Sequence, residues 1–196
     1  MAQMIEKFAR RIVGMLQAQG VVSEADGAVY EYGFHVLFNN VLDVLSIFVI
    51  GLLCGMLPQA ALYHLAFIPL RLTAGGFHAK THLRCFIFST AVWLVSMFLI
   101  MQVPLGRFVP AGMALVSLAA VFRLAPISNP HNPLSEEKSA RMRRYALMMS
   151  MVLTIAVLVC SLFLREGLLW IPASLAFGQF SQALLIVMES TKKPTI

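Results

Sequence analysis

Tyr145-Ala-Leu-Met-Met-Ser-Met-Val-Leu-Thr-Ile-Ala-Val-Leu-Val-Cys-Ser-Leu-Phe-Leu164 runs for twenty residues without a charge. A helix needs about 20 mainly apolar residues to cross a hydrocarbon core of ~30 Å. Residues 168–188 form a second run of the same kind, and 41–57, 60–70, 86–103 and 108–122 are apolar as well. The segment at 60–70 is short: eleven residues span about 17 Å as a helix. It either continues into the polar stretch after it or re-enters the membrane as a half-helix.

Composition supports this reading over the whole chain. Of 196 residues, 59% are hydrophobic and 12% charged, and the mean hydropathy is +0.80. A soluble domain carries about 25% charged residues. The expected fold class is therefore all-α: a polytopic integral membrane helical bundle with about six hydrophobic segments, one short and a candidate for re-entry. N-terminal amphipathic helices precede it. Residues 1–196 read as a single membrane domain, with 1–40 cytoplasmic or interfacial, 41–188 the transmembrane bundle, and 71–85 on its cytoplasmic side.

The net charge of +6 does not point to nucleic acid, because the cations lie between apolar segments and not on one soluble face. With six crossings, thirteen Lys and Arg fall on the side of both termini, against Arg107 and Arg165 on the other. The positive-inside rule then makes both termini, 71–85 and 123–144 cytoplasmic, in a multi-pass membrane protein.

Ile5, Phe8, Ile12 and Met15 recur at helical spacing, with Lys7, Arg10 and Arg11 between them. This is either a basic amphipathic helix on an anionic lipid surface or a packing helix for the helices C-terminal to it. Gly20 stops it. Ser23, succeeded by Glu24 and Asp26, reads as an N-cap opening a second helix toward Asn39. The first twenty residues lack the continuous apolar core of a secretory signal. Pro126, Pro130 and Pro133 mark a turn-rich loop, and Ser135-Glu-Glu-Lys138 a capping signal before a basic helix start. Cys54 and Cys160 fall within or beside apolar runs and read as small buried hydrophobes.

The chemistry concentrates in Arg71-Leu-Thr-Ala-Gly-Gly-Phe-His-Ala-Lys-Thr-His-Leu-Arg-Cys85. Polar and ionisable groups are costly at a membrane, so the cluster marks a candidate site. Three readings are open. In the first, the cations and imidazoles anchor at the headgroups and the cysteine packs. In the second, His78, His82 and Cys85 bind zinc. Against that, the glutamate of HExxH is absent, and Lys80 and Arg84 repel a dication, so no metal and no cofactor are expected. In the third, Cys85 is a nucleophile activated by Arg84, a histidine and the start of a helix. The Gly75-Gly76 turn could then present N–H groups to an oxyanion. On one straight helix, His82 and Cys85 are neighbours. His78 and Cys85 would stand about 10.5 Å apart along the axis, so His78 can serve only where the chain bends.

Arg71-x3-Gly75-Gly76-x-His78-Ala79-x5-Cys85, between membrane segments in a chain of this length, resembles the accessory gene regulator B family. Those proteins are bacterial membrane cysteine endopeptidases that mature a quorum-sensing peptide precursor. The resemblance implies His78 and Cys85 as the catalytic pair, in place of His82, and a bent, non-helical turn around 75–84. It places the family's arginine and second glycine on Arg71 and Gly76. It further implies cleavage through a Cys85 thioester, then closure of a thiolactone or lactone ring. The expected substrate is a pheromone precursor with an amphipathic leader and an acidic C-terminal tail. Arg71, Lys138, Arg141, Arg143 and Arg144 are candidate cations for that substrate. A homodimer in the lipid bilayer is expected, and no nucleic acid. Asn129, Glu31 and Asp43 are candidate orienters of the imidazole.

The rival reading is a small transporter or peptide exporter with 71–85 as a broken-helix binding site. Asp43, Gln179 and Gln182 would then line a pathway, unless they simply tie helices together. Thiol labelling separates the two. An activated Cys85 reacts fast with an electrophile near neutral pH, and a packed cysteine does not.

Overall fold

In the computed structural model, the described residues are 2–76, 82–127 and 135–191, and all their regular elements are helical. The side chains of 2–6, 32, 35, 36, 39, 40, 82, 83 and 85 lie outside the description. The chain divides into two compact units, Met1–Ile50 and Gly51–Ile196.

In the first unit, α1 (Ala2–Ala18) ends just before Gly20, whose φ of 72° takes the chain out of the helix. Ala9 and Val13, one helical turn apart, are buried, while Lys7, Arg10 and Arg11 are exposed. Phe8 meets Phe38 edge-on at 5.3 Å, and Arg10 pairs with Glu31 at 3.6 Å. Ser23 accepts the Asp26 N–H at 3.2 Å and donates to its carboxylate at 2.7 Å, closing a separate turn. Helix α2 (Gly27–Leu53) therefore starts three residues later than the expected cap implies. It also runs unbroken past Asn39, so the second amphipathic helix and the first apolar segment are one element of 27 residues. The reason is local. No proline lies within it, and the Asn39-Asn40 pair lowers helix propensity only mildly.

The second unit holds α3 (Leu57–Ala74), α4 (His82–Gln102), α5 (Phe108–Leu124), α6 (Glu136–Phe163) and α7 (Trp170–Ser190). A single 3-10 turn, Glu166–Leu168, leads into α7. The short apolar segment does not stop at residue 70. It continues through Arg71 to Ala74, and its 18 residues reach about 27 Å, more than a half-helix requires. Ser135 caps α6 as its sequence indicated, accepting the Lys138 N–H at 3.3 Å.

Helix α7 is the centre of this unit and packs against α3, α5, α6 and α4. Small residues bring the helices close: Ala66, Ala114 and Ala176 are fully buried beside Val157 and Leu175. Polar side chains point inward too, with Ser117, Ser150, Thr154, Ser174, Gln179 and Gln182 all buried. The outer face of α6 is apolar instead, exposing Met148, Val152, Ile155, Val159 and Leu162. Polar inside and apolar outside is the inverse of a water-soluble bundle and matches helices solvated by lipid. Glu136–Phe163 and Glu166–Ser190 are long and apolar enough to cross a membrane, and Val41–Leu53, Phe86–Gln102 and Phe108–Leu124 are shorter apolar stretches. Cys54 is exposed, in the turn after α2, and Cys160 is half-buried on α6. Neither is the buried packing residue expected from its apolar neighbours, because apolar runs here also face outward.

Ala74, Val121, Ala125, Ala146 and Ile186 form one apolar cluster. The C-terminal ends of α3, α5 and α7 thus gather at one pole, where α6 begins. A cavity of about 660 Å³ lies at the other pole, lined by Met101, Leu105, Arg107, Phe108, Glu166 and Trp170 among others.

Among the unit's described glycines the least space is at Gly178, where a methyl group would overlap the Tyr63 carbonyl and press on Ala66 at 3.1 Å. Gly178→Val should destabilise the detergent-solubilised protein by more than the about 1–3 kcal/mol usual for overpacking. Gly112→Val, at an open position, serves as the control in the same thermal melt.

Candidate functional site

The polar stretch begins where α3 runs out. Arg71 lies in the last turn of the helix, and Gly75 and Gly76 leave it with φ of 73° and 128°, both in the region that favours glycine. The peptide groups freed at this end are claimed by three separate parts of the unit. The Ala74 carbonyl accepts the Ile127 N–H at 2.9 Å, from the segment after α5. The Gly75 carbonyl accepts from the Gln182 amide of α7 and, at 3.4 Å, from Arg71 Nη1.

There is no room for side chains in this turn. A methyl at Gly75 would overlap the Ile127 carbonyl oxygen, and one at Gly76 would lie 2.8 Å from Arg71 Nη1 and 3.3 Å from Gln182 Nε2. Both glycines are thus required twice, by dihedral and by space.

The Ile127 segment is itself held by a cation. Arg143 on α6 donates to the Ala125 carbonyl at 3.0 Å and to the Phe122 carbonyl at 2.9 Å. A guanidinium fork here satisfies carbonyls that α5 leaves unpaired and complements its negative end. The four cations of α6 expected to meet substrate therefore differ. All four are exposed, but Arg143 is engaged on α5 and Arg141 pairs with Glu137 at 2.8 Å.

Helix α4 begins at His82, which corrects the expected non-helical turn of 75–84: residues 75 and 76 are non-helical, and 82–84 are already helix. Cys85 belongs to the first turn of α4, where N–H groups lack intrahelical partners. The side chains of Cys85 and His82 lie outside the described residues, as do His78 and Asn129 altogether. Glu31, proposed as an orienter, pairs with Arg10, and Asp43 lies on α2; both belong to the first unit.

Gln182 is the participant that the sequence did not assign to this turn. Its one signal was an amide in an apolar helix, which Gln179 shares. Gln179 instead ties α7 to α6, donating to Ser150 Oγ at 2.9 Å and Thr154 Oγ1 at 3.0 Å. Among the described residues, no group of three or more His, Cys, Asp or Glu side chains could hold a metal ion.

Gly75→Ala should lose far more stability than Gly20→Ala, although both glycines have φ near 70°. Position 20 is open and its alanine costs only the backbone strain of about 1–2 kcal/mol. Alanine at 75 adds a collision with Ile127, and the comparison is read by thermal melts of both variants in lipid. Equal losses would show that the turn relaxes around the methyl.

Residues 9–187 match the family model described as Accessory gene regulator B. The chain is 29% identical over 162 residues to "Accessory gene regulator protein B" of Staphylococcus saprophyticus, covering 83% of this chain and 82% of that protein. A "Putative AgrB-like protein" of Listeria innocua is 28% identical over 66% of this chain and 64% of its own length. One of Clostridium perfringens is 20% identical over 85% and 81%. No solved structure matches the chain.

Proposed function

Since this chain belongs to the accessory gene regulator B family, we propose that it is a multi-pass membrane cysteine endopeptidase that processes a quorum-sensing peptide precursor. The observation that carries the reading is the closely held glycine turn that precedes α4 in the chain. Of the family-type motif residues, Arg71 donates to the Gly75 carbonyl and Gly76 packs against the Arg71 guanidinium, ahead of the helix whose first turn contains Cys85. A thiol at a helix start, near a cation such as Arg84, is biased toward thiolate.

In this mechanism His78 takes the Cys85 proton, and Sγ attacks the scissile carbonyl of the precursor. The tetrahedral oxyanion collapses to a thioester as the His78 proton passes to the leaving amine. N–H groups of the glycine turn or of the α4 start are the candidate oxyanion donors. An internal cysteine or serine of the peptide then attacks the thioester, closes the thiolactone or lactone, and releases Cys85. The ring forms because the internal nucleophile is held close and water is scarce at a membrane boundary.

Six helical crossings with both termini cytoplasmic are part of the proposal. Arg71, Arg84, Arg123, Lys138, Arg141, Arg143 and Arg144 lie at or near the ends of helices on the glycine-turn side, against Arg107 and Arg165 at the other pole. That asymmetry supports a cytoplasmic catalytic side. Exposed Lys138 and Arg144 offer the charge for an acidic peptide tail. Family membership adds the expectation of a homodimer.

The test is cleavage by purified protein in lipid with a candidate precursor encoded nearby, reading a hydroxylamine-sensitive enzyme–peptide adduct. Cys85→Ala and His78→Ala should abolish the adduct, and His82→Ala should retain it. Loss in His82→Ala with retention in His78→Ala would reassign the base. Cleavage that survives Cys85→Ala would overturn the mechanism.

A further inference from the structure

Gln182 and Gln179 are three residues apart on α7, are both 0% exposed, and do different things. Gln179 bonds to Ser150 and Thr154, so its amide joins one helix to another. Gln182 bonds to the Gly75 carbonyl, 107 residues away in the chain, at the first peptide beyond α3. Its Oε1, like that of Gln179, is buried with no hydrogen-bond partner among the described residues. Leaving an acceptor unpaired is costly, and a side chain that merely filled this space would avoid that cost by being apolar. The amide is therefore retained for its donor.

The surroundings of that donor agree. Arg71 reaches the same oxygen from the opposite helix, and Gly76 lies close enough to both donors to exclude a side chain. The turn is thus gripped between α3 and α7 immediately before the stretch that leads to Cys85.

We propose that Gln182 is a positioning residue: by fixing the Gly75 carbonyl against α7, it sets how the chain enters the segment that presents Cys85. Its consequence for catalysis rests on the endopeptidase reading. Its effect on Cys85 does not, because it comes from the geometry of the turn. Gln179 acts as the natural comparison, since it shares the helix, the burial and the chemistry but not the turn.

The experiment uses the full chain in lipid with Cys54→Ser and Cys160→Ser, which leaves Cys85 as the sole thiol. Gln182→Met and Gln179→Met are compared with this parent in three readouts: thermal stability, the rate and pH profile of Cys85 alkylation by a small electrophile, and adduct kinetics with the precursor. Both variants should lose stability. Only Gln182→Met should change Cys85 alkylation, by about tenfold, the scale on which small displacements of reacting groups act. It should also lower kcat with KM within about twofold, the pattern of a lost transition-state interaction. Should Gln182→Met fail to accumulate, Gln182→Asn, with its amide on a shorter stem, is read in its place by the same comparison. Alkylation that is unchanged in the Gln182 variant, or altered equally in Gln179→Met, overturns the proposal. An adduct absent from the parent overturns the endopeptidase reading instead, and the alkylation comparison still decides the role of Gln182.

Discussion

A backbone carbonyl that leaves a helix in apolar surroundings has to find a donor, and the pole of this protein that holds the glycine turn is organised by that constraint. Four such carbonyls lie close together in it. The Ala74 oxygen is paired with the Ile127 N–H, the Gly75 oxygen with Gln182 and Arg71, and the Phe122 and Ala125 oxygens with Arg143. Each donor comes from a different segment from its acceptor, apart from Arg71, so satisfying the helix ends also joins α3, the segment after α5, α6 and α7. The apolar cluster of Ala74, Val121, Ala125, Ala146 and Ile186 lies among the same segments and keeps water from competing for the bonds.

The same constraint explains why glycine occupies 75 and 76. At this helix end two successive positive-φ residues turn the chain sharply and point its carbonyl toward new donors. Donors arriving from both sides then use up the space where a side chain would go. The requirement for glycine is imposed by neighbours as much as by dihedral. Gly20 shows the contrast, with a similar φ and open space around it.

Much of the fold was legible because its signals are long and redundant. The run at 145–164 falls within α6, which begins earlier, at the Ser135 cap, and 168–188 emerges as α7 with small changes at its ends. What failed was a boundary where composition changes but the backbone does not. A second helix toward Asn39 and a separate apolar segment from residue 41 were expected, yet nothing there prevents helix from continuing. At residue 70 the first of two open readings holds: arginine is a good helix former, and α3 carries Arg71 one turn farther. Cys54 and Cys160 depart from expectation for a related reason. Apolar sequence predicts burial in water, whereas this exterior is itself apolar.

For the site, the sequence identified the turn but not what holds it. Arg71, Gly75 and Gly76 could be read from local pattern, since all three lie within six residues. Gln182 could not, because its partner is 107 residues away and nothing in a single chain distinguishes it from Gln179. Arg143 presents the converse case. It reads as one charge in a basic cluster, suited to an acidic partner, yet its fork geometry spends it on two main-chain oxygens of another helix end. Charge patterning locates such a surface, and hydrogen-bond demand at helix ends then decides which of its cations are committed inside the fold. In this pole that demand is met within the chain itself, because each carbonyl that leaves a helix needs a donor in every molecule.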